Sequence, residues 1–189
     1  MKIGICGRSG SGKSTASSYF ADKGYQVIDL DLYAKSLDNK YPEILDRIKM
    51  TFGPQIIKNG IINRKILGEI VFGSSVELNK LNEIYFEFLR RDMIELIKNN
   101  ENIVVEGAVI FEIGLDAYLD KILFMIADET KLLERISHRE KSNLETLKNR
   151  LKIQKKYDVY IDKADYTIET NGTKEELYEK LDELIMENG

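Results

Sequence analysis

The chain has 189 residues, with 28 Lys and Arg against 32 Asp and Glu, a formal charge of −4. Its 43% apolar content is too high for a disordered chain, and at this length folding hides ~70% of the surface the unfolded form exposes, enough for one substantial core. A mildly acidic balance offers no general attraction to nucleic acid or anionic lipid. No run approaches the ~18 apolar residues of a membrane span, and the single Cys6 excludes an internal disulfide, which fits the cytoplasm.

In chain order, Lys2-Ile3-Gly4-Ile5-Cys6 predicts a buried parallel strand that runs into a glycine-rich stretch. Arg8 and Lys13 interrupt this apolar start, so it does not read as a secretory signal. Residues 13–23 have helical spacing, with Ala16, Phe20 and Ala21 near one face and Gly24 as the stop. Residues 25–28 predict a second strand that continues into Asp29-Leu30-Asp31. From 41 to 98 the pattern is helical, interrupted at Gly53 and Gly60, and Ser74 with Glu77 has capping-box spacing. Residues 103–105 and 121–126 predict the third and fourth strands. Asp128 is placed to cap the next helix, and Ser142 with Glu145 forms another capping box. Residues 166–168 make the last strand. Thr173 with Glu176 then caps an amphipathic helix through Leu177, Leu181, Leu184 and Ile185.

Five strands separated by helices predict an α/β fold, a five-stranded parallel sheet flanked by helices, in one domain. Its core takes in 1–40, 100–136 and 160–189. The helical block at 41–99 is about twice a usual crossover and is a natural substrate-covering insertion. Residues 137–158 form a candidate lid.

Gly7-Arg8-Ser9-Gly10-Ser11-Gly12-Lys13-Ser14 matches the phosphate-loop pattern G-x-x-x-x-G-K-[ST] in full, between a predicted strand and a predicted helix. Glycines permit close backbone approach, so N–H groups point inward at phosphate oxygens at a helix N-terminus. Gly10, Ser11, Gly12, Lys13, Ser14 and Thr15 are therefore the candidate nucleotide-binding residues. Lys13 would reach the β- and γ-phosphates, and the Ser14 hydroxyl would ligate Mg2+.

The carboxylates decide what the γ-phosphate is used for. Asp29 and Asp31 end the second strand, and on an extended backbone they share a side, so either is a candidate base for an acceptor hydroxyl. Glu106 follows Ile103-Val104-Val105 as the acid of a Walker B element does, a second candidate for holding Mg2+. Arg135 and Arg139 are four apart on a predicted helix, and Arg150 lies on the next. On a flap they would cover the phosphates; surface pairing with Glu134 or Glu145 is the alternative. One histidine, His138, rules out a triad or a multi-histidine metal site, and it reads as solvated.

The phosphate loop, Asp29-Leu30-Asp31, Gly60…Asn63-Arg64…Leu67…Val71-Phe72 and Val105-Glu106…Ile110-Phe111-Glu112…Gly114-Leu115 recur in this order in dephospho-CoA kinases. So do Arg135…Arg139, Arg150…Gln154 and Ala164-Asp165…Asn171-Gly172. The chain thus resembles that family over essentially its whole length. The resemblance implies a P-loop NTPase fold like that of nucleoside monophosphate kinases, with a helical acceptor-binding insertion and a lid. It implies transfer of the γ-phosphoryl of ATP to the ribose 3′-hydroxyl of dephospho-CoA, with Mg2+, in the cytoplasm. By the same resemblance Asp31 is the acceptor-side base, Arg64 binds acceptor phosphate and Asn171 lies near the adenine. The chain departs from the family at Phe86-Glu87, where His-Pro is usual, at Tyr160-Ile161, and at Glu140-Lys141 in a lid turn that is usually glycine-containing. The alternatives are a nucleoside or nucleoside monophosphate kinase, or a non-catalytic nucleotide switch. Nucleic acid and membrane are not expected partners; the sequence leaves the oligomeric state open, and a monomer is compatible with it.

Overall fold

β1 (Lys2–Cys6) is an unbroken apolar run in which Ile3, Ile5 and Cys6 are buried, the composition of a strand covered on both faces. It opens a computed structural model that describes every residue except Phe72, Gly73, Ser142 and Gly189. In order there follow α1 (Lys13–Asp22), β2 (Gln26–Asp29), α2 (Leu30–Lys40), α3 (Pro42–Phe52), β3 (Ile57–Lys58), β4 (Ile61–Ile62), α4 (Arg64–Val71) and α5 (Ser75–Asn99). Then come β5 (Ile103–Glu106), β6 (Lys121–Ile126), α6 (Glu129–Arg139), α7 (Leu144–Gln154), a 3-10 segment (Lys155–Lys163), β7 (Tyr166–Glu169) and α8 (Lys174–Asn188). These divide into two compact units, Met1–Asp29 with Leu96–Gly189, and Leu30–Glu95.

The first unit holds a parallel five-stranded sheet in the order β2-β5-β1-β6-β7, the α/β sheet that the sequence predicts. The chain leaves β1 toward the β2 edge but leaves β5, the neighbour of β1, in the opposite direction to β6, so the carboxyl ends of β1 and β5 flank a topological switch point, where open α/β sheets bind ligands. On one face Ala16, Tyr19 and Phe20 of α1 join Leu177 and Leu181 of α8 against Ile3, Ile5, Val104, Leu123 and Ile168. Full burial of a side chain such as Phe20 contributes ~1.5–3 kcal/mol. α6 and α7 pack through a small core of their own, Leu132 and Ile136 with Leu147 and Leu151, each pair one turn apart.

The caps follow the sequence in part. Ser74 Oγ accepts from Glu77 N (3.3 Å), and Thr173 and Glu176 form a reciprocal capping box at 3.2 Å each way. Ser142 lies outside the described residues, and the cap of α7 is Asn143, whose Oδ1 accepts from Thr146 N at 2.8 Å. Asp128 occupies the N-cap of α6, but its side chain makes no capping bond.

The second unit departs further from expectation. Leu30 already begins α2, so Asp31 sits in the first turn of a helix and does not share an extended strand with Asp29. The cause is helical spacing: Leu30 and Leu37, seven apart, are both buried on one face. Gly60 does not simply interrupt a helix either. Asn59 (φ 54°) and Gly60 (φ 76°) form a two-residue turn that pairs Ile57 with Ile62 and Lys58 with Ile61, the hairpin that Asn-Gly favours. Phe72, the end of the Val71-Phe72 step, lies outside the described residues.

Candidate active site

The loop between β1 and α1 is fixed by steric necessity. At Gly7 (φ +135°) a Cβ would stand 2.3 Å from the Met125 carbonyl, and at Gly10 (φ +80°) 2.7 Å from that of Leu132. Neither position tolerates a side chain, so the loop lies against β6 and α6 while its amides remain at the N-terminus of α1. Gly12 is the N-cap of α1, followed by Lys13, Ser14 and Thr15 in its first turn. Lys13 Nζ donates to the Arg8 carbonyl at 3.2 Å, folding the lysine back over the loop. Ser11 is buried, and its Oγ has no hydrogen-bond partner among the described residues.

Glu106 ends β5 and is only 5% exposed. Its Oε1 accepts from Ser14 Oγ at 3.0 Å and its Oε2 from Ser17 Oγ, so both oxygens are engaged by hydroxyls one turn apart on α1. Asp29 stands in register with Glu106 on the neighbouring strand, which puts two carboxylates side by side at the carboxyl edge of the sheet. Ser17 lies outside the phosphate-loop pattern, and its only sequence signal is the spacing of three from Ser14 that puts it on the same helix face. Hard oxygen donors of this kind suit Mg2+, and Ser14 with Glu106 are the residues that would hold it.

Arg135 reaches back from α6 to the loop. Its Nη1 donates to the Gly10 carbonyl and to Thr170 Oγ1, both at 3.1 Å, and its Nη2 to the Thr170 carbonyl. Thr170 is buried, and its hydroxyl lies 3.0 Å from the Ser11 carbonyl. Neighbouring Asn171 accepts from Asp128 N (2.9 Å) and donates to Glu169 (2.6 Å). Asn171, Asp128, Glu169, Arg8, Leu132 and Ile161 line a cavity of about 330 Å³, within the ~300–1,000 Å³ usual for small-molecule sites. Arg8 pairs with Asp158 of the 3-10 segment through Nε at 3.4 Å, and the Gln154 side chain accepts from Ser9 N at 2.8 Å. Thr170, Asp158 and Arg8 carry no sequence signal beyond their proximity to motif residues.

Arg139 and Arg150 come together on a carboxylate, and it is Glu140, not Glu134 or Glu145. His138 is exposed. Cys6 is a buried core residue, its thiol pushed up to about 12 by burial.

In the second unit, Asp31 is exposed in the first turn of α2. Arg64, at the start of α4, donates to the Lys35 carbonyl (3.3 Å) and pairs with Asp38, whose other oxygen accepts from Tyr85 Oη. Asp31, Lys35 and Asp38 are spaced four and three apart, so Arg64 meets α2 on the face that carries Asp31. An anion bound by Arg64 would compete with Asp38. Among the described residues no helix is long and apolar enough to cross a membrane.

Known proteins resemble this chain over nearly its whole length. A family model for dephospho-CoA kinase matches residues 1–176. The dephospho-CoA kinase of Fusobacterium nucleatum is 40% identical over 185 residues, which is 96% of this chain and 95% of that protein. A Thermus thermophilus protein, TT1252, superposes with a TM-score of 0.78 at 28% identity over 98% of this chain and 96% of its own. The dephospho-CoA kinase from Campylobacter jejuni does so with a TM-score of 0.67 at 28% identity, covering 98% and 95%. With its phosphate loop, its Ser14–Glu106 pair and a match that runs nearly from end to end, the chain belongs to the dephospho-CoA kinase family.

Proposed function

We propose that this protein transfers the γ-phosphoryl group of ATP to the ribose 3′-hydroxyl of dephospho-CoA, giving coenzyme A, in the cytoplasm. The observation that carries the reading is the Ser14–Glu106 hydrogen bond at the head of a phosphate loop, in a chain of this family. The loop amides from Gly10 to Thr15 and the Lys13 ammonium bind the β- and γ-phosphates and stabilise charge on the moving group. Ser14 and Glu106 would hold Mg2+, which would supply charge neutralisation to the triphosphate. The cavity beside Asn171 receives the adenine. Arg139 and Arg150 face the triphosphate, while Arg135 holds the loop in shape. Asp31 accepts the proton of the attacking hydroxyl, and Arg64 exchanges Asp38 for an acceptor phosphate.

An acceptor panel scored by ADP release tests the reading. ADP should appear with ATP, Mg2+ and dephospho-CoA, and should not appear above background with dTMP or CMP. Release with dTMP or CMP and none with dephospho-CoA would overturn the acceptor assignment. Binding of ATP with no release on any acceptor would overturn the assignment as a kinase.

A further inference from the structure

Two helices of the first unit each hydrogen-bond the phosphate loop through one side chain. Arg135 of α6 donates to the Gly10 carbonyl, and Gln154 of α7 accepts from Ser9 N. One helical turn from each contact stands another arginine. Arg139 follows Arg135 by four residues and Arg150 precedes Gln154 by four, so each lies ~6 Å along its helix from a loop contact and on the same face. Both arginines meet on Glu140. Its Oε1 accepts from Arg139 Nη2 at 3.1 Å and from Arg150 Nη1 at 2.8 Å, and its Oε2 accepts from the same Arg150 nitrogen at 2.8 Å.

The donor count is the telling feature. Arg150 spends one nitrogen on both carboxylate oxygens, and Arg139 spends one on Oε1. Among the described residues, the other guanidinium nitrogens of both make no hydrogen bond or ion pair. A guanidinium has five donors in a rigid fork suited to phosphate, so most of that capacity is still available. Two guanidiniums this close repel each other unless an anion stands between them. Burial pushes the Glu140 carboxyl up, but the bonds from Arg150 and Arg139 outweigh it and hold the group below the ordinary carboxylate range, hence ionised.

We propose that Glu140 is a positioning residue for the terminal phosphates of the nucleotide. It holds Arg139 and Arg150 as one anion-receiving pair a helical turn from the phosphate loop, and it acts only through them. The packing of α6 on α7 through Leu132, Ile136, Leu147 and Leu151 fixes the distance that the carboxylate bridges. A solvent-accessible, half-buried ion pair of this kind contributes little to folding stability, so its effect lies in placement.

The inference rests on the reading that the phosphate loop takes ATP. Its test is equilibrium titration of the full chain with Mg·ATP and, separately, with inorganic tripolyphosphate, on wild type, E140Q, E140D, R150A and E140Q/R150A, each with a melting curve. E140Q should weaken both ligands about tenfold. E140D, which keeps the charge, should recover part of that loss, and the melting temperatures should stay together. In the R150A background E140Q should add less than about twofold, because its effect passes through the arginine. Wild type that binds ATP, with E140Q binding as tightly or more tightly, overturns the role of Glu140 and leaves the ATP reading intact. A full E140Q effect in the R150A background overturns it as well. Wild type that fails to bind ATP overturns both.

Discussion

Arg135 and Thr170 close a clasp around the phosphate loop. The guanidinium donates to the hydroxyl and the carbonyl of Thr170 and to the carbonyl of Gly10, and the threonine hydroxyl lies within hydrogen-bond distance of the Ser11 carbonyl. A residue of α6 and a residue beyond β7 thereby hold two consecutive loop carbonyls, which turns the loop amides the other way. Asn171 is the next residue along, so the segment that lines the cavity is the one that grips the loop.

Removing the arginine should therefore act on stability and on nucleotide affinity together. R135A leaves carbonyls at Gly10 and Thr170 without their donor and should cost about 2 kcal/mol in urea unfolding. T170V keeps the shape but loses the hydroxyl, and should cost about 1 kcal/mol. R135K keeps the charge without the planar fork and should behave like R135A. Each variant should also bind ATP more weakly than wild type. Weaker ATP binding in R135A with unchanged urea stability would mean that Arg135 acts on the nucleotide directly.

The pair Ser14–Glu106 carries the next expectation. E106Q can still accept from one serine, so the fold is kept, but the site loses its formal charge. The Mg2+ concentration for half-maximal activity should rise ~10–100-fold, as when a supporting partner of a metal ligand is lost. Titrating activity against Mg2+ at saturating ATP reads this directly. An unchanged Mg2+ dependence would detach Glu106 from the metal and leave it as an anchor for Ser14 and Ser17.

The sequence made the phosphate loop and the sheet legible because both are local. A strand buried on both faces must be apolar throughout, and a loop packed against the carbonyls of Met125 and Leu132 must be glycine at the points of contact. The position of Asp31 is not legible locally, because an apolar-acid alternation fits a strand end and a helix start alike, and the deciding residue, Leu37, lies beyond the strand window. The arginines were found by spacing, but their partner was not. Glu140 comes one residue after Arg139 and ten before Arg150, and only the packing of α6 on α7 brings all three together. Thr170 was missed for the same reason, since a threonine at a strand end is unremarkable until α6 places Arg135 against it.

The second unit is built around a different carboxylate, and it should respond to acid. Asp92 is 3% exposed and accepts from Lys40 (2.9 Å), Tyr33 (3.1 Å) and Tyr41. Burial alone raises a carboxyl, but the bonds from Tyr41, Lys40 and Tyr33 outweigh it and leave Asp92 below its ordinary value, while the same pair holds Lys40 above its own. A group depressed in the folded state contributes stability that is fully present above the unfolded value of ~3.9 and is lost as the pH falls through the lower folded one. Urea midpoints should thus hold between pH 5 and 7 as far as this group is concerned, and fall below pH ~4. D92N removes the charge and one acceptor while it keeps the volume, and should cost about 2 kcal/mol at pH 7. Its stability should fall less steeply than that of wild type between pH 4 and 3, so the two curves converge. Parallel curves over that range would show that Asp92 is not the group whose protonation loosens this unit.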